Sequence, residues 1–116
     1  MKREIKFRGW SKSFKIMSNP FSMKALLEKN IVKIDTSDTE IMQYIGIDDR
    51  DGIEIYEGDI VKTSYQNFPQ GVVEFYQGQY VYRDKSVVQP IADLVINKWR
   101  LYVIGNIYQN PELLNN

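Results

Sequence analysis

Residues 43–61 have the sequence QYIGIDDRDGIEIYEGDIV, in which two turn signals interrupt an apolar and alternating pattern. In the first signal, residues 48–52, the Asp side chains can bond nearby backbone amides and Gly52 can take a positive φ. Strand-like residues lie on both sides, at 42–47 and 53–56. This arrangement predicts a β-hairpin whose loop is the acidic segment.

The second signal, Glu57-Gly58-Asp59, is a tight turn that leads into a predicted strand over residues 60–65. Apolar or alternating segments with short turns continue from there to the end of the chain. They predict further strands at 71–76, 79–83, 86–89 and 102–108. Because the strands follow one another every eight to twelve residues, the pattern favours a small barrel or sandwich over βαβ units.

The N-terminal segment shows strand alternation first and helix signals second. Residues 5–8 and 14–16 alternate apolar with basic side chains, which predicts a first hairpin joined by residues 9–13. Residues 19–30 carry a possible Asn19 cap, a proline in the first turn and apolar residues at helical spacing, so they are predicted to form the one short helix. Residues 31–34 alternate again, and residues 91–98 are ambiguous between helix and strand.

Length and composition bound the class of protein. The chain has 116 residues, 43% of them hydrophobic and 13% aromatic, which suits one globular domain. The first ten residues have no apolar signal-peptide region, and no apolar run is long enough to span a membrane. We therefore expect a single-domain cytoplasmic protein.

The residue inventory excludes several chemistries. The sequence has no Cys and no His, so a thiolate nucleophile, a disulfide, a Cys/His zinc site, a Ser/His/Asp triad and a histidine base are impossible within this chain. The 15 basic and 15 acidic residues cancel, so no net charge attracts nucleic acid or anionic lipid. Any catalysis would use carboxylates, Lys, Tyr, Ser or Thr, and no motif for it accompanies them; we expect no enzyme activity and no cofactor.

Three blocks of sequence, residues 43–61, 71–75 and 103–114, resemble in the same order the YopX-like proteins of bacteriophages and prophages, and the start Phe7-Arg8-Gly9 fits as well. The resemblance implies a mostly β fold of coiled sheets with an SH3-like small barrel in the C-terminal half. It implies a division into an N-terminal part of about residues 1–40 and a barrel part of about 41–116. It also implies a phage or prophage origin and no established activity.

Charge is distributed unevenly along the chain. Residues 2–15 contain six basic side chains against one acid, and residues 35–59 contain nine acids against one Arg. Either the two segments neutralise each other within one folded chain, or they pair between subunits. The acids do not predict a calcium loop, because placing Gly52 at its sixth position puts Ile47 and Gly58 at the first and twelfth ligand positions. We expect no metal site.

Basic and aromatic side chains interleave between residues 6 and 15, which is typical both of single-strand nucleic-acid binding and of an ordinary amphipathic hairpin. Further aromatic residues, Trp99, Tyr102 and Tyr108, are interpreted as core or interface anchors. The candidate interaction surface consists of charged and aromatic residues from both unbalanced segments: Lys6, Arg8, Trp10, Lys12, Lys15, Asp48, Asp49 and Asp51.

The functional prediction is a phage or prophage accessory protein that acts by binding, through self-association as a homo-oligomer or through a host or phage protein partner. The first alternative is a nucleic-acid-binding small barrel, and the second is a carboxylate-based enzyme. The three hypotheses differ in the surface they require: an exposed apolar patch, a cationic face, or a deep pocket with convergent polar groups.

Overall fold

Two five-stranded antiparallel sheets make up most of the molecule. The computed structural model describes residues 4–27, 35, 37–64, 70–85 and 87–114. The strands are β1 (Lys6–Ser11), β2 (Ile16–Met17), β3 (Phe21–Ser22), β4 (Thr39–Asp48), β5 (Glu54–Tyr56), β6 (Asp59–Thr63), β7 (Gly71–Tyr76), β8 (Gln79–Arg83), β9 (Val88–Pro90) and β10 (Leu101–Asn106). The helices are α1 (Met23–Leu27), α2 (Ile91–Ile96) and a 3-10 turn, Pro111–Leu114. The mostly β prediction is confirmed.

The first sheet is built around β1, which pairs with β2, β3 and β4. Its strand order is β2-β1-β4-β5, and β3 pairs with the remaining part of β1. The predicted N-terminal hairpin forms, but its turn is residues 12–15, because β1 extends through Gly9 to Ser11 and pairs with β4 down to Thr39. β4 and β5, which the prediction assigned to the barrel part, thus belong to the N-terminal sheet.

The second sheet has the order β10-β6-β7-β8-β9. The predicted turn at Gln77-Gly78 joins β7 to β8, and both residues have positive φ. The chain leaves β9 through α2 and returns to the far edge of the sheet as β10 beside β6. The two sheets are curled; the SH3-like detail stays a prediction.

The β4–β5 hairpin contributes to two hydrophobic cores because successive strand residues point to opposite faces. Tyr44 and Tyr56, which are opposite each other in the ladder, join Trp10 and Met42 in one core. The neighbouring Ile55 lies in the other core, which also contains residues of β6, β7, β8, α2 and β10: Val61, Val73, Tyr82, Ile91, Leu94 and Leu101. One hairpin therefore holds the two sheets together.

The turn between the sheets depends on glycine. Gly58 has a φ of +83°, a conformation that side-chain-bearing residues rarely adopt. Its N–H donates to the Val73 carbonyl at 2.8 Å, and its own carbonyl accepts from Ile107 N–H at 2.9 Å. The tight turn predicted at residues 57–59 is present, and it joins β5 of the first sheet to β6 of the second.

The helix prediction needs correction in two places. The predicted helix over 19–30 begins only at Met23, because Phe21 and Ser22 pair with β1 as a strand. Residues 28–34 lie outside the described residues, so the end of that helix and the predicted alternation at 31–34 are not described. The ambiguous residues 91–98 contain a second helix, Ile91–Ile96, whereas one helix was predicted. No helix in the described part of the chain has the length and apolarity needed to cross a membrane.

Candidate binding surface

The acidic residues of segment 48–59 act as separate structural acceptors. Asp49 is 8% exposed, and one of its carboxylate oxygens accepts from the N–H groups of Asp51 and Ile53, which closes the hairpin loop. Its other oxygen accepts from Val103 N–H in β10 at 2.9 Å. Asp49 therefore fastens the loop to the edge strand of the second sheet.

Other carboxylates of this segment are also engaged. Asp48 accepts a hydrogen bond from the Tyr44 hydroxyl at 2.7 Å, and burial together with this bond raises the pKa of Tyr44 to about 12. Glu57 accepts from the backbone N–H of Gln43 at 2.7 Å. Among the described residues, no group of three or more carboxylates converges as a metal site would require.

Among the described residues of the first basic segment, Lys6, Arg8 and Lys12 pair with acids. Lys6 forms ion pairs with Glu4 and Glu54, and Lys12 pairs with Glu40 at 3.4 Å. The backbone of residues 12–13 is bonded to Asp38, whose carboxylate also accepts from the Ser11 and Ser13 hydroxyls; these bonds lower the pKa of Asp38. The ion pairs of these described residues are therefore within one chain.

The most buried of these pairs joins the two sheets. Arg8 of β1 donates to Asp59 of β6 at 2.6 Å, with side chains 13% and 1% exposed, and the guanidinium lies 4.7 Å from the centre of the Tyr56 ring. The second Asp59 oxygen accepts from Tyr56 N–H. Burial raises the pKa of Asp59, and the nearby Arg8 charge opposes that shift. We call Arg8, Tyr56 and Asp59 the inter-sheet contact.

The eight predicted interaction residues do not form one surface. Trp10 is buried against Tyr108, with ring centres 5.7 Å apart. Four of the eight remain exposed, in two separate places: Lys12 and Lys15 near one end of β4, Asp48 and Asp51 at the other. Ten strand residues separate the two ends, about 30 Å along an extended strand. Whether either group binds a partner stays a prediction.

A different surface collects apolar side chains that remain in solvent. α2 buries Ile91 and Leu94, but Val95 is 47% and Ile96 is 74% exposed. Beside them is a cavity of about 340 Å³, which is also lined by residues of β4 and of the start of β8. We call this cavity the α2 groove; it is lined by Ile45, Ile47, Gln79, Tyr80, Ile91, Ala92, Val95 and Ile96.

The apolar surface extends past the α2 groove along the β7–β8 hairpin. Phe75 and Tyr80 are opposite each other in the ladder, with ring centres 5.2 Å apart in an edge-to-face arrangement, and Phe75 is 56% exposed. Nearer the core, the same face is completed by Val73 and Tyr82, which are fully buried. The α2 groove is therefore the open end of the main core. Tyr76 is the remaining exposed tyrosine of this hairpin, at 41%.

A second, polar cavity of about 450 Å³ adjoins the α2 groove and shares Ile47 and Val95 with it. Exposed Trp99 forms part of its wall. Three exposed cations also line this cavity: Arg50, Lys98 and Arg100. We call these three residues the cationic rim; within the described residues none of them forms an ion pair.

Sequence reasoning named three residues that line the polar cavity, Asp48 and Asp49 as interaction residues and Trp99 as an anchor, and missed the α2 groove and the cationic rim. A signal was present: in residues 91–96, IADLVI, the spacing puts Ile91, Leu94 and Val95 on one face of the helix, whereas Ile96 falls on the other. A short helix that packs one face on the core needs apolar residues on that face alone, so an apolar residue on the other face is not explained by folding. The sequence Lys98-Trp99-Arg100 follows directly. Together they mark an apolar surface next to a cationic one.

Comparison with known proteins supports the fold and a family. The model of the family described as YopX protein matches residues 6–115. The crystal structure of protein EF1440 from Enterococcus faecalis is similar, with a TM-score of 0.59 and 23% identity over 97% of this chain and 99% of that one. At this identity the likeness concerns the fold alone. The comparison with curated proteins gives no match.

Proposed function

The chain belongs to the YopX family, and we propose that it is a protein-binding module without chemistry of its own, which takes a segment of a partner protein into the α2 groove. The observation that carries the proposal is the exposure of Val95 and Ile96 beside the apolar cavity between α2 and β4. Scattered exposed apolar residues are ordinary, but a contiguous group that lines a concave site is typical of an interaction surface. The partner would be a phage or host protein, since the resemblance implies that the chain is encoded on phage or prophage DNA.

The energetic argument concerns Ile96. Burying an exposed side chain of this size contributes about 1.5–3 kcal/mol, which corresponds to roughly ten- to hundredfold in affinity. Ile96 is 74% exposed and protrudes from a short helix whose opposite face is fixed in the core by Leu94. A partner that covers Ile96 therefore gains affinity from a side chain already held on a fixed element, at a small entropic cost.

The chain offers a matched control for this position. Ile16 is 61% exposed and lies in β2, next to the turn at the end of β4 away from the groove. A photo-crosslinking amino acid is placed at position 96 or at position 16, in the organism that encodes the protein. The expected result is a discrete protein adduct from position 96 and none from position 16.

The captured protein is then purified and titrated with the wild type, Ile96→Ser and Ile16→Ser. At least tenfold weaker binding is expected for Ile96→Ser alone. Equal binding by all three, or the lack of a position-96 adduct, would overturn the proposal. An adduct between two copies of the chain would mean that the groove binds a second copy and not a different protein. Light scattering during size exclusion would then measure a larger mass.

Nucleic-acid binding is a second candidate, favoured by one observation: exposed Trp99 lies between Lys98 and Arg100, the combination of stacking and phosphate pairing that single-strand binders use. If the chain binds nucleic acid, the photo-crosslinking experiment should give an adduct that nuclease treatment removes. Affinity for a single-stranded oligonucleotide would also fall steeply with salt and would not depend on Ile96.

A further inference from the structure

We infer that the α2 groove selects a partner segment in which apolar side chains are adjacent to Asp or Glu. This inference rests on the proposed function and adds the chemistry of the occupant. It begins from the two cavities, which share Ile47 and Val95. A segment that follows the surface past these two residues leaves an apolar wall and meets the cationic rim.

The charge around the polar cavity is unbalanced toward positive. Two carboxylates line it, Asp48 and Asp49, but each is already an acceptor inside the protein. Asp49 takes three backbone N–H groups, and Asp48 takes the Tyr44 hydroxyl. The three cations of the rim have no such partner among the described residues. Carboxylates supplied by a bound segment would complement them.

The backbone that carries two of these cations is fixed. Arg50 N–H donates to the Leu101 carbonyl at 2.9 Å, so the hairpin loop is bonded to the start of β10. Arg100 exchanges two hydrogen bonds with Ser64, from its N–H to the hydroxyl and from Ser64 N–H to its carbonyl. Because Arg100 precedes Leu101, both side chains start from neighbouring stretches of fixed backbone, and a carboxylate would not have to order that backbone on binding.

A peptide suits the whole surface better than a nucleic acid does. Phosphates would pair with the cationic rim and a base could stack on Trp99, but Val95 and Ile96 would stay in water. The apolar cavity, about 340 Å³, lies within the range of ligand-binding sites and can hold a few side chains. A segment with apolar and acidic residues occupies both cavities at once.

The experiment selects random peptides from a display library on the full-length wild-type protein at low salt. Selected peptides are synthesised and titrated against four proteins: wild type, Ile96→Ser, a rim variant and a control. The rim variant reverses three charges, Arg50→Glu, Lys98→Glu and Arg100→Glu. The control makes the same change in net charge at exposed cations elsewhere, Lys12→Glu, Lys15→Glu and Lys62→Glu. All substituted residues are exposed, and circular dichroism checks that each variant folds.

The expected peptides combine aliphatic or aromatic residues with an excess of Asp and Glu on one side. They should bind the rim variant about tenfold more weakly than the wild type, because three ion pairs of ordinary surface strength between the peptide and the rim are lost. The loss should exceed that of the control variant, and wild-type affinity should decrease with added salt.

Two results would overturn the inference, and they differ in what they leave standing. Peptides that need Ile96 but have no acidic excess and bind the rim variant as well as the wild type would refute the partner chemistry and leave the groove as a protein-binding site. Selection that never depends on Ile96 would refute the proposed function as well.

The control variant also matches the rim variant in backbone geometry at one position. Lys15 and Lys98 are both exposed lysines with a positive φ, 56° and 61°.

Discussion

The inter-sheet contact and the α2 groove with its adjoining cationic rim both combine apolar and cationic side chains, but they differ in burial and in charge pairing. In the inter-sheet contact, Arg8 is 13% exposed and its charge is matched by Asp59 and by the Tyr56 ring. In the groove, Ile96 is 74% exposed, and in the adjoining polar cavity the cationic rim has no ion pair within the described residues. Buried groups whose charges are paired stabilise the fold, whereas exposed groups without an ion pair are available to a partner. Substitutions in the two regions should therefore affect different measurements.

The largest effect is expected from Arg8→Met, which keeps an unbranched apolar stem and removes the charged guanidinium. Asp59 would then be a buried carboxylate without its cation, and breaking such a pair costs about 3–5 kcal/mol of the free energy of unfolding. Denaturant titration measures the loss. Lys12→Met is the control, because its pair with Glu40 is about half exposed on both sides and is worth at most about 1 kcal/mol.

The stability that Arg8→Met loses should also depend on pH. Burial already raises the pKa of Asp59, and removing Arg8 removes the charge that opposes that shift. A carboxyl whose pKa is higher in the folded state contributes its stability at low pH and loses it as pH rises through that pKa. The deficit of Arg8→Met should therefore shrink as pH decreases toward the ordinary Asp value. An equal deficit at all pH values would show that lost packing, and not charge, is its cause.

The second largest effect is expected in the hairpin loop at residues 48–52. This loop contains both the structural residue Asp49 and Arg50 of the cationic rim. Asp49→Ala removes the acceptor of three backbone N–H groups, including that of half-buried Val103. A loss of about 2–3 kcal/mol is expected by thermal or denaturant unfolding. Asp51→Ala, at an exposed position of the same loop, should change stability by less than about 0.5 kcal/mol. Similar losses for both variants would mean that Asp49 does not fasten the loop to β10.

The third effect is alkaline destabilisation of the core next to the inter-sheet contact. Burial and the bond to Asp48 raise the pKa of Tyr44 to about 12, and burial also raises the pKa of Tyr56 and Tyr108. Since the folded-state pKa is raised, the contribution of Tyr44 is complete below pH 10, the ordinary tyrosine value, and is lost as pH rises toward 12.

Absorbance of the phenolate and circular dichroism, followed together, test this expectation. Unfolding should accompany tyrosine ionisation above pH 10, and Tyr44→Phe should weaken the dependence of stability on pH there. Tyr76→Phe is the control, because Tyr76 is 41% exposed. If Tyr44 ionised with no change in the spectrum of the fold, its burial would have no such energetic consequence.

Local signals explain what the sequence predicted well. The hairpin at 48–52 and the turn at 57–59 are encoded within a few residues, by Gly52, Gly58 and the Asp side chains. The β7–β8 pair likewise follows from Gln77-Gly78 between alternating segments. The β10 contact with Asp49 joins residues 54 positions apart, so the loop could be placed but its attachment could not.

Long-range contacts explain what the sequence predicted poorly. Phe21 and Ser22 follow a possible helix cap, yet pairing with β1 outweighs that local preference. Arg8 alternates with apolar residues as an exposed side chain does, and only Asp59, 51 residues away, makes it part of the interior. The α2 groove is assembled from β4, β8 and α2, so no contiguous stretch of sequence could show its shape.

The smallest effect on stability is expected on the exposed face of α2, and it separates the two regions most directly. Ile96→Ser should change the free energy of unfolding by less than about 0.5 kcal/mol, because the side chain is 74% exposed and leaves no cavity. Leu94→Ala, two residues earlier and 2% exposed, should cost about 2–5 kcal/mol. Denaturant titrations of both variants measure the contrast within one helix. If Ile96→Ser were as destabilising as Leu94→Ala, Ile96 would already be part of a packed interior, and the α2 groove would have no open apolar wall to offer a partner.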